Sequence, residues 1–458
     1  MFLTLIRKEI VGHVLSLRFA AAFILTILVV FASIYVTANQ YLQDREMYFA
    51  TAKAATLHQE EIAKEKDGTD QVDRLYWYGR MDALNVAPLS ALVQGLRPHT
   101  PAAVITKVDD SDSVRRQQAQ NPLAGLLQMP DLQYVVSVML SLLAILFTFD
   151  AISGEKESGT LRLILSNSVP RAQILVAKWI GGYVVLIVPF LISSGGALLY
   201  AYHCGALSLE GDILSRIFWL LATACLYLSV FFTLGLLVST LTHRSATSLF
   251  LSLLVWVVWI LVIPNLSPVL AKILIPAPSR EKIAAEKRAI DQETWMRIRG
   301  LTLTSGKLSY GDEMRKAQEN LRAEGEAQKD KLDRHFRDTN RRQTDLAQTI
   351  GRLSPSGCWT YASTTMTDTG PENYGCFEDA QATLQKQLRK RAEDYWRAGS
   401  KDGKWPNIDV QQLPALTVRG SGFNADLETA MTDLLVLAIF NVVFFMGSFA
   451  MFLRYDVR

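Results

Sequence analysis

The chain has 458 residues, of which half are apolar and a fifth are charged, with a formal net charge of +3. Six stretches of at least 18 residues contain no Asp, Glu, Lys or Arg: 19–43, 132–149, 179–209, 217–243, 245–271 and 434–453. A helix of about 18 to 25 apolar residues crosses roughly 30 Å of hydrocarbon. These stretches exclude a soluble enzyme of two or three domains, and the near-neutral charge gives no reason to expect a nucleic-acid partner.

The sequence therefore predicts an all-α polytopic membrane protein that contacts lipid through six transmembrane helices. We expect the helices at 19–37, 132–150, 178–202, 213–242, 245–264 and 431–453. The remaining chain forms an amino-terminal segment, two long polar inserts, a short segment between the second and third spans and a tail. These parts are 1–18, 38–131, 265–430, 151–177 and 454–458.

Residues 1–18 place apolar side chains on one side of a helix, at Leu3, Ile6, Ile10 and Val14. This spacing predicts an amphipathic helix that lies in the membrane interface, and a cytoplasmic extension of the first span is the alternative. The apolar run that follows is longer than the about 7 to 15 residues of a signal-peptide core, so we expect a retained span.

The positions of Lys and Arg predict the orientation, because these residues are retained in short cytoplasmic flanks. With the amino terminus inside, ten such residues lie in the inner flanks and none in the short outer loop 201–212; Arg216, at the start of the fourth span, is the exception. We expect a multi-pass protein of the cell (inner) membrane with both termini in the cytoplasm. Both large inserts would then be extracytoplasmic.

The first insert begins with helix-forming sequence and continues into a turn-rich region that contains Pro88, Pro98 and Pro101. This composition predicts a small mixed extracytoplasmic domain. Its aromatic cluster, residues 76–78, is expected to pack inside the domain, with contact to lipid or cargo as the alternative.

The second insert begins with four prolines, which we expect to end the fifth span: Pro264, Pro268, Pro276 and Pro278. Charges of both signs alternate over 279–350, a pattern typical of solvated helix faces. The sequence predicts a larger, mainly helical extracytoplasmic domain with two long helices joined near 305–311.

Cys358 and Cys376 both fall in the second insert, where an oxidising exterior favours a disulfide. Such a bond would stabilise the domain by about 3 kcal/mol in the chain-entropy model. Two buried thiols are the alternative. No second Cys or His pair accompanies them, so we expect no metal site.

The chain carries no His-Glu-x-x-His motif, no Gly-x-Ser-x-Gly motif and no Cys/His cluster with metal spacing. We therefore expect a protein that is not catalytic by itself and binds no cofactor. A membrane enzyme that depends on His99 or His335 is the least favoured alternative. The six uncharged stretches also lack an Asp, Glu, Lys or Arg that could bind a coupling ion, so energy for transport must come from another subunit.

The most informative sequence is the connecting segment, by which we mean residues 151–177. Gly154 and Gly159 bracket a charged turn, a short apolar helix begins near Leu161, and Pro170 marks a second break. A short helix held between two spans at the membrane surface can transmit a mechanical displacement to both spans.

This segment resembles the Glu-x-Glu/Gly-Thr-Leu coupling region of six-span permeases in ATP-binding-cassette (ABC) exporters. The similar branch has large outward inserts and contains copper-enzyme maturation and gliding-motility permeases. The amphipathic start, the six-span layout, the basic Arg171 and Lys178 and a Ser354-Pro355 stretch also resemble that branch.

The resemblance implies that one set of residues meets a cytoplasmic ABC ATPase subunit, which would bind ATP and Mg. These residues are Glu155, Lys156, Glu157, Gly159, Thr160 and Leu161. Pro170 and Arg171 would shape the return into the membrane, although many relatives have the proline a residue or two earlier. The resemblance also implies a dimer, formed with a second copy or a related permease.

We expect a permease subunit that couples ATP hydrolysis by separate ATPase subunits to export or to movement of its extracytoplasmic domains. The alternative is a mechanical or assembly device, in which nothing crosses the bilayer and the inserts act on an extracytoplasmic partner protein.

Overall fold

The protein is almost entirely helical in a computed structural model. The structure describes residues 2–63, 79–107, 111–114, 130–166, 170–304, 312–398, 415–418, 420 and 422–454. The aromatic cluster 76–78 and the expected helix junction 305–311 lie outside these residues.

Thirteen helices are numbered α1 to α13 within the described residues. Two of them, α3 and α8, are continuous through a π-helical stretch. The bounds are α1 Phe2–Val14, α2 Leu17–Ala63, α3 Leu132–Tyr134 with Val135–Leu140 and Ser141–Thr148, α4 Ser153–Glu157, α5 Thr160–Ser166, α6 Arg171–His203, α7 Ile213–Leu241, α8 Ser245–Val257 with Val258–Val262 and Ile263–Leu274, α9 Arg280–Thr304, α10 Asp312–Gly351, α11 Pro355–Met366, α12 Pro371–Ala398 and α13 Phe423–Arg454.

A small antiparallel sheet lies in the first insert, with strands β1 (Arg80–Ala83), β2 (Ala103–Thr106) and β3 (Ser111–Val114) in that order. Two 3-10 turns, Pro88–Ala91 and Arg97–His99, lie between β1 and β2. Strands and short helices together give this insert the mixed structure that its sequence predicts.

Six helices of the described chain are long and apolar enough to cross a membrane: α2, α3, α6, α7, α8 and α13. The predicted all-α polytopic fold is thus confirmed. The predicted amphipathic amino-terminal helix is present as α1.

The expectation that Pro264 and Pro268 end the fifth span helix is wrong, because α8 continues to Leu274. Pro264 lies in the first turn after the π-helical stretch, where a missing N–H is tolerated. Pro268 cannot donate to the Pro264 carbonyl oxygen, but the Ser267 hydroxyl donates to that oxygen at 3.1 Å. The other two prolines, Pro276 and Pro278, lie between α8 and α9, after the observed end of the α8 helix.

The chain forms two compact units, one comprising residues 1–260 with 358–458 and the other residues 261–357. In the first unit α7 is the most buried span, and 72% of its most apolar window is covered. Polar groups join it to its neighbours: the Tyr227 hydroxyl donates to the Ser137 carbonyl of α3 at 2.9 Å, and Asn441 of α13 bonds Thr233 and Ser229. These bonds fix its position because lipid offers no competing partners.

No disulfide joins Cys358 and Cys376, and the expected bond is corrected to two thiols. Cys358 is fully buried in the main core of the first unit beside Trp359, which stacks on Tyr227 with ring centroids 5.8 Å apart. The Trp359 indole also donates to the Gln133 carbonyl at 3.0 Å. Packing against the spans therefore fixes Cys358, which lies on α11. Cys376 lies on the following helix, α12.

The second unit contains the two long charged helices α9 and α10, which pack against each other. Ion pairs join their faces, Lys287 with Asp333 and Lys329 with Asp291, each at 2.8 Å. The alternating charges in this region thus include pairs between helices as well as within them.

The packing of α3 against α7 yields a stability prediction for Gly235. A Cβ atom at this position would overlap the Thr148 hydroxyl. We expect Gly235→Ala to destabilise the protein by about 1 to 3 kcal/mol, the usual cost of overpacking. The thermal unfolding midpoint in detergent measures it.

Gly196→Ala is the matched control, because a Cβ there meets no atom within 4 Å and alanine favours a helix by up to about 1 kcal/mol. Thr148→Ala should restore part of the midpoint lost in Gly235→Ala. Equal midpoints for the two glycine variants would contradict the described packing.

Candidate coupling site

The connecting segment folds as two short helices, α4 and α5, separated by a left-handed glycine. Gly159 has φ 76°, a conformation that glycine adopts without steric cost. At the start of α4, the backbone N–H groups of Ile152 and Ser153 donate to the Ser239 hydroxyl of α7 at 3.0 and 2.9 Å. A buried residue of a membrane-spanning helix therefore caps the segment.

Lys156 and Glu157 bind the ends of two successive spans. The Lys156 ammonium donates to the carbonyls of Thr240 and Thr242, at the carboxyl end of α7, at 2.5 and 3.0 Å. The Glu157 carboxylate accepts from the backbone N–H and the hydroxyl of Ser245, the first residue of α8, both at 3.0 Å. Each charge has the sign that its helix end favours.

Lys178 of α6 joins three helices at one point. Its ammonium lies 2.6 Å from a Glu155 oxygen on α4 and 3.3 and 3.4 Å from the two Glu9 oxygens on α1. The Lys178 side chain is 7% exposed and the two carboxylates about one-fifth. Removing the lysine would leave two partly buried like charges facing each other, so this junction is the most sensitive electrostatic feature of the site.

The amino-terminal helix fits closely against α6 at this junction. A Cβ atom on Gly181 would come within 2.8 Å of the Glu9 Cβ atom. His13 stands edge-on to Phe147, with ring centroids 6.2 Å apart. Burial lowers the pKa of His13, and Lys178 acts in the same direction, against the opposing effects of Glu9 and Asp150.

A cavity of about 310 Å³ lies between α1 and the connecting segment. Its polar lining includes Glu9, His13, Asp150, Glu155 and Lys178. One Glu155 oxygen is buried there without a hydrogen-bond partner. The junction thus lies beside open space into which helices can move.

The second helix of the segment is held by apolar packing. Leu161 is 1% exposed and lies in a cluster with Ile174, Leu236 and Phe452. At the return into the membrane, Pro170 precedes α6, and the Arg171 guanidinium donates to the Leu453 carbonyl near the end of α13 at 2.9 Å. The segment therefore also contacts the last span.

The predicted residues fall into two groups. Glu155, Lys156, Glu157, Leu161 and Arg171 bond or pack against other helices of the chain, although Glu157 is also exposed. Gly159, Thr160 and Pro170 are exposed, together with three residues that the sequence did not single out: Ser158, Arg162 and Leu163. Leu163, an apolar side chain on α5, is 69% exposed.

Sequence reasoning missed the partners of the charged turn. Glu9 belongs to a helix predicted only as an interfacial element, and Ser239 and Ser245 are serines without a local motif. The one available signal was Gly181-Gly182, next to a lysine at the start of a span. It indicates close helix approach beside a charge that needs partners.

The lysine junction predicts a local loss of protection. We expect Lys178→Met to weaken the docking of α1 and α4 by about 3 kcal/mol, or roughly 100-fold in protection, since two carboxylates lose their counter-charge. Hydrogen–deuterium exchange of residues 2–14 and 153–157 measures it. Lys272→Met, at an exposed lysine of α8, is the matched control; if exchange rises equally in both variants, or in neither, the junction is not the anchor.

The sequence matches the family described as ABC-2 family transporter protein over residues 3–457. The probable ABC transporter permease protein NosY of Stutzerimonas stutzeri is 33% identical over 132 residues, which are 28% of this chain and 46% of that protein. The protein of the same name from Pseudomonas aeruginosa is 38% identical over 65 residues, 14% of this chain and 24% of the relative. The chain thus covers less than half the length of either relative.

The family match extends over almost the whole chain, and the described helices supply the six spans that a permease needs. This protein therefore belongs to the ABC-2 transporter family, as a multi-pass membrane subunit.

Proposed function

We propose that the chain couples ATP hydrolysis by a separate cytoplasmic ATPase subunit to movement of its membrane spans. The observation that carries this proposal is the anchoring of one short segment to the ends of α6, α7, α8 and α13. A displacement of the segment changes bonds to four spans at once, and Lys178, which binds Glu155, links the segment to Glu9 of α1.

The two groups of residues have different roles in this proposal. The exposed group, centred on Thr160 and Leu163, receives the ATPase subunit. Glu155, Lys156 and Glu157 pass the displacement to α6, α7 and α8. This division moves the expected contact with the ATPase from the charged turn to the exposed start of α5.

The partners and the orientation belong to the same proposal. The basic flanks support a cytoplasmic position for both termini and the connecting segment, in the inner membrane. The ATPase subunit holds ATP and Mg, and this chain binds no cofactor. Two permease protomers, identical or related, pair with two ATPase subunits.

A charge on the exposed apolar residue tests where the ATPase binds. We expect Leu163→Asp to reduce the ATPase recovered with the tagged chain from native membranes at least tenfold, because a carboxylate replaces an apolar contact at the interface. The thermal midpoint of the chain should not change, since Leu163 is mostly exposed.

Leu209→Asp is the control, because this exposed leucine lies in the loop between α6 and α7, at the other end of both spans. Glu155→Ala completes the test: we expect the ATPase to remain bound while ATP-dependent function is lost. Normal recovery with Leu163→Asp would refute the contact, and normal function with Glu155→Ala would refute the transmission.

A mechanical or assembly device is the second candidate, and the second unit favours it. This unit carries helices of 25 and 40 residues outside the apolar spans. The 132 residues aligned with the permease of Stutzerimonas stutzeri are 28% of this chain and 46% of that relative, so this chain is the longer of the two. The water accessibility of single cysteines along the seam between two protomers distinguishes the candidates, because transport needs a continuous path there, whereas a device that acts outside the bilayer keeps the seam sealed.

A further inference from the structure

The side of α1 that faces away from α6 takes no part in the lysine junction. At about 100° per residue, Glu9 and His13 fall together on the side that meets Gly181 and Gly182 of α6. The opposite side is exposed, and the turn before α2 continues it. We call this surface the outer face of α1, and it includes Leu3, Arg7, Lys8, Val11, Leu15 and Leu17.

The outer face has large apolar side chains that the protein does not cover. Leu3, Leu15 and Leu17 are 77%, 80% and 86% exposed, more than any other large apolar side chain of the described residues. Phe19, two residues after Leu17, opens the first uncharged stretch of the chain. The turn before α2 therefore lies at the edge of the hydrocarbon, where acyl chains cover leucine side chains.

The same face carries two positive charges without a counter-charge. Arg7 and Lys8 are exposed, and neither forms an ion pair or a hydrogen bond with the described part of the chain. Glu9 is the single acid among residues 2–18, and it pairs with Lys178 on the opposite side of the helix. The outer face thus combines exposed leucines with two cations that no acid of α1 can neutralise.

We propose that the outer face of α1 binds an anionic phospholipid. The phosphate pairs with Arg7 and Lys8, whose long side chains reach the headgroup layer. The acyl chains pack on Leu3, Val11 and Leu15. A zwitterionic lipid has the same acyl chains, but its own ammonium offsets the phosphate charge, so the two cations favour a headgroup with a net negative charge. An acidic protein surface would match the cations but not the leucines at the edge of the hydrocarbon.

The bound lipid acts on the lysine junction through the helix that carries both surfaces. Glu9 binds Lys178 from one side of α1, and the lipid holds the other side. An anionic lipid therefore keeps α1 in place beside the connecting segment. This consequence for coupling rests on the proposed function, whereas lipid binding itself does not and is measured on this chain without an ATPase.

Photoreactive lipids test the proposal on the full chain in phosphatidylcholine nanodiscs. A phosphatidylglycerol probe and a phosphatidylcholine probe carry the same diazirine acyl chain, each is added in trace amount, and labelled positions are mapped by mass spectrometry. The yield in residues 2–17 is divided by the yield in the exposed, uncharged stretch 442–446 of α13. We expect this ratio to be roughly 30-fold higher for phosphatidylglycerol, from about fivefold for each basic residue.

Two double variants make the result decisive. Arg7→Gln with Lys8→Gln should give equal ratios for the two probes, and it should fold because both side chains are exposed. Arg322→Gln with Lys331→Gln is the matched control, since it removes two exposed cations from α10 and should keep the full preference. A phosphatidylglycerol preference that survives Arg7→Gln with Lys8→Gln would overturn the proposal. Equal ratios in the unaltered chain, the result expected if an acidic protein covers this face, would also overturn it.

Discussion

The account depends on one buried cation shared by two carboxylates. Lys178 stands at the start of a membrane-spanning helix, where an unpaired ammonium would be costly, and Glu155 and Glu9 remove that cost from two different helices. If either Glu155 or Glu9 moves away, the buried Lys178 ammonium loses part of its counter-charge. The connecting segment and the amino-terminal helix are thereby linked through a third helix, and the adjacent cavity gives them room to move.

Around this junction the segment binds helix ends instead of helix sides. Lys156 meets carbonyls at the end of α7, Glu157 meets the first residue of α8, and Arg171 meets a carbonyl near the end of α13. Helix ends have unsatisfied backbone groups, so charged side chains can bind them without disturbing the apolar packing between spans. A push on a small element can thus tilt several long, rigid helices at once.

Much of the fold could be predicted from the sequence, because six uncharged stretches leave few alternatives to six spans. The connecting segment was located by its glycines and charges, but the partners of Glu155 were not, since Glu9 lies far away in the chain and the contact depends on tertiary packing. Pro264 and Pro268 led to a wrong prediction of the end of α8, because a π-helical stretch and the Ser267 hydroxyl accommodate both prolines within the helix. Cys358 misled because its burial against the spans, beside Trp359, could not be read from the spacing of the cysteines.

The most direct test of the central claim is an ATP-dependent distance measured in the complex of this chain with its ATPase. Spin labels would replace Leu3, on α1, and Leu209, in the loop before α7, in a background without the four native cysteines. The account predicts that a non-hydrolysable ATP analogue shifts the distance in the protein with Lys178 and that the shift disappears in Lys178→Met while the ATPase remains bound. An equal shift in both proteins would contradict it.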